Sequence, residues 1–184
     1  NKVWISKSNN PKRKLKYTLE IIEDSESKVG VNTLSANKIV LYALQKNLIK
    51  EFSNIKEIKP EIKFGKNTRF DFLIINGKDK VFIEVKNVTL SRKKRLAEFP
   101  DAVTTRGLKH INELSKAGKK NYKIFILFLV QRDDCKRFAI AKDIDPNYEK
   151  SLKKAVKNNL KILCYDCKFS QEGIKLNKKI KINI

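Results

Sequence analysis

The stretch that decides the fold reads Arg69-Phe70-Asp71-Phe72-Leu73-Ile74-Ile75, Asn76-Gly77-Lys78-Asp79, Lys80-Val81-Phe82-Ile83-Glu84-Val85-Lys86. Two apolar runs flank an Asn-Gly turn, the signal of an antiparallel hairpin. A turn centred between Gly77 and Lys78 sets Asp71 directly opposite Glu84, their Cβ atoms ~5 Å apart. Strand side chains repeat with period two, so Lys86 shares a face with Glu84 while Val85 points into the core. Two acids and a lysine therefore converge inside strands that are otherwise apolar. Carboxylates so placed repel one another unless a cation lies between them. Mg²⁺ takes hard oxygen ligands, including carboxylates and the phosphate oxygens of a substrate. It would stabilise charge on a scissile phosphodiester and lower the pKa of its water, with Lys86 orienting or activating that nucleophile. The blander alternative is a solvated sheet edge on which Asp71 pairs with Arg69 or Lys86.

Around this hairpin the sequence predicts an α/β domain. From Ser35 to Phe52 the residues Ile39, Val40, Ala43, Leu44, Leu48, Ile49 and Phe52 recur at helical spacing. Glu61 to Phe64 precedes the hairpin as a third strand. Pro100-Asp101 is read as opening a helix that runs to about Ala117, with Gly118 as its stop. Tyr122 to Gln131 is apolar on both faces, as a central strand covered from both sides must be. Pro146 starts a helix with Leu152, Ala155, Val156 and Leu160 inward. Leu163 to Phe169 and the alternating Ile180, Ile182 and Ile184 close the chain as strands. The main domain, 34–184, thus has the order α-β-β-β-α-β-α-β with a mixed sheet. Residues 1–33 read as a separate β segment: Val3 to Ile5, a basic turn, Leu15 to Ile22, a polar turn from Asp24 to Lys28, and Val29 to Thr33.

The 184 residues carry 42 Lys and Arg against 20 Asp and Glu, a net charge of +22 that attracts polyanions. Nucleic acid is favoured over an anionic membrane, because the helices look half-buried rather than membrane-seeking. No apolar run reaches the ~20 residues that cross a bilayer, and no signal-peptide stretch opens the chain. A cytoplasmic protein is the expectation, without Met and so expected to be cut or partial, and a small-molecule substrate is not expected. A single His excludes metal sites built from several imidazoles. Three Cys form no disulfide framework. The formal C-x-x-C of Cys164 and Cys167 lies on a predicted strand, where residues three apart face opposite ways.

Asp71 with Glu84-Val85-Lys86, on a hairpin within this element order, is similar to the PD-(D/E)XK nuclease signature of the restriction-endonuclease-like fold. More specifically, the chain resembles the sugar fermentation stimulation protein A family. The carriers are Val31-Asn32-Thr33, Ala36-Asn37, Arg69-Phe70-Asp71-Phe72, Ile83-Glu84-Val85-Lys86-Asn87-Val88-Thr89-Leu90, Phe99-Pro100-Asp101-Ala102-Val103-Thr104, Arg106-Gly107 and Lys109-His110. The resemblance implies a nuclease-like domain preceded by part of a small OB-like β domain, with further N-terminal residues in relatives. It also implies DNA binding and a link to the regulation of sugar fermentation genes. Under it, Asp71, Glu84 and the backbone carbonyl of Val85 are expected to hold Mg²⁺ or Mn²⁺, and Asp71, Glu84 and Lys86 to be catalytic. The chain departs from the pattern in two places. Phe70 stands where the signature has Pro, and Asn32 and Asn37 stand where related nucleases often add an acid from the first helix.

The expected nucleic-acid contacts are Arg69, Asn32, Asn37, Arg106, Lys109, His110 and the early basic turn Lys12-Arg13-Lys14. Arg106 and His110, four apart, share a helix face. Arg92-Lys93-Lys94-Arg95 is a second basic run suited to backbone contacts. Three readings stay open: a metal-dependent DNA phosphodiesterase, a DNA-binding regulator with an idle centre, and a Lys-rich scaffold with no nucleic-acid role.

Overall fold

The computed structural model describes residues 1–23, 27–65 and 68–183. The polar turn predicted over 24–28 falls partly outside these residues, at 24–26, and Ile184 lies outside them. Three strands, β1 (Lys2–Lys7), β2 (Tyr17–Glu23) and β3 (Lys28–Gly30), form a small antiparallel sheet. It joins the rest of the chain where Gly30 N–H donates to the Gln131 carbonyl at 2.9 Å.

The first helix, α1 (Ser35–Gln45), buries Ala36, Ile39, Val40, Ala43 and Leu44. It ends earlier than the apolar spacing predicts. Asn47 adopts a left-handed backbone (φ 53°) and Leu48 N–H closes onto the Ala43 carbonyl, a helix stop suited to Asn. Leu48 is consequently exposed, while Ile49 and Phe52 still reach the core from the following turns.

A six-stranded mixed sheet forms the centre. Its strands β4 (Glu57–Phe64), β5 (Thr68–Asn76), β6 (Asp79–Val88), β9 (Lys123–Val130), β11 (Lys161–Ser170) and β12 (Gly173–Lys179) lie in the order β12-β11-β9-β6-β5-β4. Pro60 sits on the edge strand, where a missing N–H costs least. β6, β9 and β11 run parallel. As expected of a central strand, β9 sends Phe125, Leu127 and Leu129 to the α1 side, and Ile124, Ile126, Phe128 and Val130 to the other.

That other face is covered by α2 (Thr105–Gly118) and α3 (Pro146–Lys157). A second sheet, unforeseen in the sequence, packs beside them. It consists of β7 (Leu90–Lys93), β8 (Leu96–Phe99), β10 (Arg137–Ile140) and β13 (Lys181–Asn183), in the order β13-β10-β8-β7. The observed order therefore keeps the predicted α-β-β-β-α-β-α-β frame and inserts a hairpin before α2, a strand before α3 and an extra strand near the end. α2 starts four residues later than predicted, because β8 runs to Phe99 and Thr104 Oγ1 caps the helix by accepting from Gly107 N–H at 3.0 Å. Val156 of α3 points outward, and Tyr148 joins Leu152 and Ala155 in the core.

Candidate functional site

The β5–β6 ladder keeps the predicted register, pairing Asn76 with Asp79 across the turn and Phe72 with Ile83. Beyond Phe72 the backbone pairing ends and the Asp71 carboxylate takes its place. Oδ2 accepts from Val85 N–H and Oδ1 from Asn37 Nδ2 of α1, each at 2.7 Å. A strand residue sends its N–H and C=O to the same side, so the Val85 carbonyl also leaves β6 toward Asp71.

Glu84 is 2% exposed. Its Oε1 receives Lys86 Nζ at 2.7 Å and meets His110 Nδ1 from α2, while Oε2 is buried without a hydrogen-bond partner. Burial and then the Glu84 charge push Asp71 up to about 6, against the pull of Val85 N–H, Asn37 and Lys86. Burial also acts on Glu84, but the His110 hydrogen bond and the Lys86 and His110 charges outweigh it and hold that carboxyl below its ordinary value. The pair thus keeps its negative charge on Glu84, and Asp71 takes up a proton first.

A cleft of about 520 Å³ opens onto Asp71 and onto His110, the partner of buried Glu84, with Lys63, Arg69, Arg106 and Lys109 among its walls. Arg69 is held at 3.6 Å by Glu61. A larger groove, about 660 Å³ between α2 and α3, shares Lys109 but holds neither acid, whereas the smaller one holds Asp71. The structure thus brings together Asp71, Glu84, Lys86, Val85, Asn37, His110, Arg69, Arg106 and Lys109. The remaining predicted contacts stand apart. Asn32 Nδ2 donates to Glu20 at 2.9 Å, and Arg13 donates to Thr18 at 2.8 Å in the β1–β2 turn that also carries Lys12 and Lys14. His110 lies on the buried side of α2, with Gly107, Ile111, Leu114 and Ala117, and serves Glu84. Its place in that i, i+3, i+4, i+7 stripe is the signal that sequence reading passed over.

A family model described as the sugar fermentation stimulation protein RE domain matches residues 34–173, and one described as the SfsA N-terminal OB domain matches residues 1–31. The chain belongs to the sugar fermentation stimulation protein family. Among its relatives, the sugar fermentation stimulation protein homologue of Pelagibacter ubique is 54% identical over 182 residues, covering 99% of this chain and 78% of the relative. That of Rhodospirillum centenum is 40% identical over 182 residues, covering 98% of this chain and 78% of the relative. Among solved structures, Pyrococcus furiosus SfsA in complex with Ca²⁺ superposes with a TM-score of 0.90 at 26% identity, covering 99% of this chain and 78% of that one. The family's fold is the one described above: a small N-terminal OB β domain followed by a mixed α/β domain.

Among the described residues no three His, Cys, Asp or Glu side chains stand close enough to cage a metal ion, and no helix is long and apolar enough to cross a membrane. The donor set is instead two carboxylates and one carbonyl. That fits Mg²⁺, which commonly binds through one or two carboxylates and leaves its other positions to water and phosphate oxygens. The bare, buried Glu84 Oε2 is the atom most in need of such a partner.

Proposed function

We propose that this chain binds DNA through the phosphate backbone and carries a divalent-metal centre for phosphodiester cleavage at Asp71, Glu84 and the Val85 carbonyl. The observation that carries the reading is a buried Glu84 with an unpartnered oxygen beside a second carboxylate driven up to about 6. Lys86 engages only one oxygen of that pair, which leaves room for a further cation. The Ca²⁺ bound by Pyrococcus furiosus SfsA supports a cation in this fold, and the net charge of +22 supports a polyanionic partner. When bound, Mg²⁺ or Mn²⁺ would polarise the phosphodiester and lower the pKa of a water.

The residues do the rest. His110 holds Glu84 in orientation, Asn37 and Val85 N–H hold Asp71, and Lys86 sets its Nζ next to the acids, where it can orient the attacking oxygen. Arg69, Arg106 and Lys109 hold backbone phosphates along the cleft. A cytoplasmic setting belongs to this reading, supported by its nucleic-acid partner and by three free cysteines. So does a role in sugar fermentation, which the family's name supports.

Mg²⁺ should raise the melting temperature of the wild type by mass action, with about 2.7 kcal/mol available at a hundredfold excess over Kd. Asp71→Asn and Glu84→Gln should lose most of that gain. Plasmid and oligonucleotides incubated with Mg²⁺ or Mn²⁺ against EDTA test the chemistry, and Lys86→Ala should abolish cutting while retaining most DNA affinity. Binding without cutting under every metal would leave a regulator with an idle centre. One observation favours that second reading: Lys86 Nζ is already engaged by Glu84 at 2.7 Å.

A further inference from the structure

Away from the acids, the β7–β8 hairpin walls a concavity of about 650 Å³ in which six of eight lining residues are cationic. Its one acid, Asp134, is committed to Arg132 at 2.7 Å. Arg92 is likewise spent on the scaffold. Its guanidinium grips buried Glu98 at 2.7 Å and Asp143 at 2.5 Å, tying both hairpin strands to the loop after β10. The tip is fixed from behind, since the Arg95 carbonyl accepts from the backbone N–H groups of Lys136 and Arg137 at 3.0 and 3.2 Å. This leaves Lys93 at the end of β7 and Lys94 and Arg95 on a braced two-residue turn, and among the described residues none of the three meets a carboxylate.

The backbone at the tip adds an independent sign. Among the described residues six non-glycine positions have left-handed φ, and four of them are Asn, which tolerates that region. The exceptions are Glu61, which borders the acid cleft, and Arg95, with φ 63°. A long cationic side chain is kept at a position that favours glycine or asparagine, the kind of local strain that collects at functional sites.

We infer that the β7–β8 hairpin is a second contact for the phosphodiester backbone of double-stranded DNA, separate from the acid cleft. A two-stranded ribbon fits the major groove, and unpaired cations on a rigid turn match phosphates. The hairpin continues directly from β6, so ten residues of chain at most separate Glu84 from Lys94. Even fully extended these span ~34 Å, about ten base pairs of duplex. A duplex of that length is therefore long enough to span the distance between the two sites. This inference rests on the nucleic-acid part of the reading above, and not on its metal chemistry.

The test is the affinity of a labelled 20-base-pair duplex, measured by fluorescence anisotropy across a salt series. Lys94→Glu with Arg95→Glu should weaken binding at least ~10-fold and flatten the salt slope by about 1.8, or 0.9 for each phosphate lost. Lys78→Glu with Lys80→Glu, the same charge change at the opposite end of β6, should cost no more than ~3-fold. Arg95→Gly should weaken binding ~3-fold while its melting temperature holds or rises, because glycine is at ease at that φ. Equal losses in the two charge-reversed pairs, or wild-type affinity in Arg95→Gly, would overturn the inference. So would a hairpin variant that loses phosphatidylserine vesicles but keeps the duplex. Failure of the wild type to bind any duplex would overturn it together with the nucleic-acid reading. Loss of the Mg²⁺-induced rise in melting temperature with duplex binding intact would sink the metal centre alone.

Discussion

Asp71 is the residue at which stability and function pull apart. Its folded-state value is raised from 3.8 to about 6, so the burden of its charge is absent below the first value and complete above the second. In EDTA at pH 7.5, Asp71→Asn should keep wild-type stability or gain up to ~2 kcal/mol, since each tenfold change in a proton-binding constant is worth about 1.4 kcal/mol and weaker amide hydrogen bonds return part of it. The advantage should fade as pH falls from 6 toward 3.8, which paired thermal melts can follow. A variant less stable than wild type at pH 7.5 would instead mark Asp71 as a partner of Lys86 in a structural ion pair. The Asp71–Glu84 opposition was legible because turn chemistry fixes hairpin register, and register fixes which side chains meet. The role of Asn37, and the distance of Asn32 from the cleft, were not legible. The first depends on how α1 is rotated against β5 and the second on how the turn before α1 meets β2, which no local pattern encodes.

Elements reach the site through their ends. Asp145 is 3% exposed and accepts twice, from Tyr148 N–H to cap α3 and from Thr104 N–H at the entry to α2, both at 2.9 Å. One carboxylate thus sets the starts of the two helices that cover Glu84. Asp145→Ala should cost about 2–4 kcal/mol, because two buried donors lose their acceptor, whereas Thr104→Ala should cost about 1 kcal/mol as a single lost cap. Chemical denaturation of both variants checks the order, and equal costs would show the two helix starts to be independent. The long elements were readable, since β9 and the helices each carry many periods of their pattern. The four-residue strands β7, β8 and β10 were not. Ser91-Arg92-Lys93 reads as a polar loop, and it becomes a strand only when β8 and the distant β10 supply its sheet.

At the scale of the whole molecule, the small sheet seats on the larger body with little room. A Cβ at Gly30 would stand 2.6 Å from Gln131 Oε1 and 2.8 Å from Ile174 Cδ1. Gly30→Ala should therefore lower stability by roughly 1–3 kcal/mol through overpacking, and limited proteolysis should cut first in the β1–β3 sheet. Cleavage elsewhere, or an unchanged melt, would mean that the seat yields. The thiols report on the same scale. Cys164 belongs to the core on one face of β11 and Cys167 to the core on the other, as strand alternation requires, and Cys135 is buried as well. Burial raises the pKa of all three above the ordinary thiol value, so the native protein offers an alkylating reagent almost no thiolate. The two halves of the C-x-x-C cannot close on each other without tearing the central sheet, and oxidants have no easy bridge to form. The cysteines thus amount to a built-in clock: the rate of iodoacetamide labelling should track the opening of the core itself, slow in native buffer and accelerating with urea in step with the loss of circular dichroism.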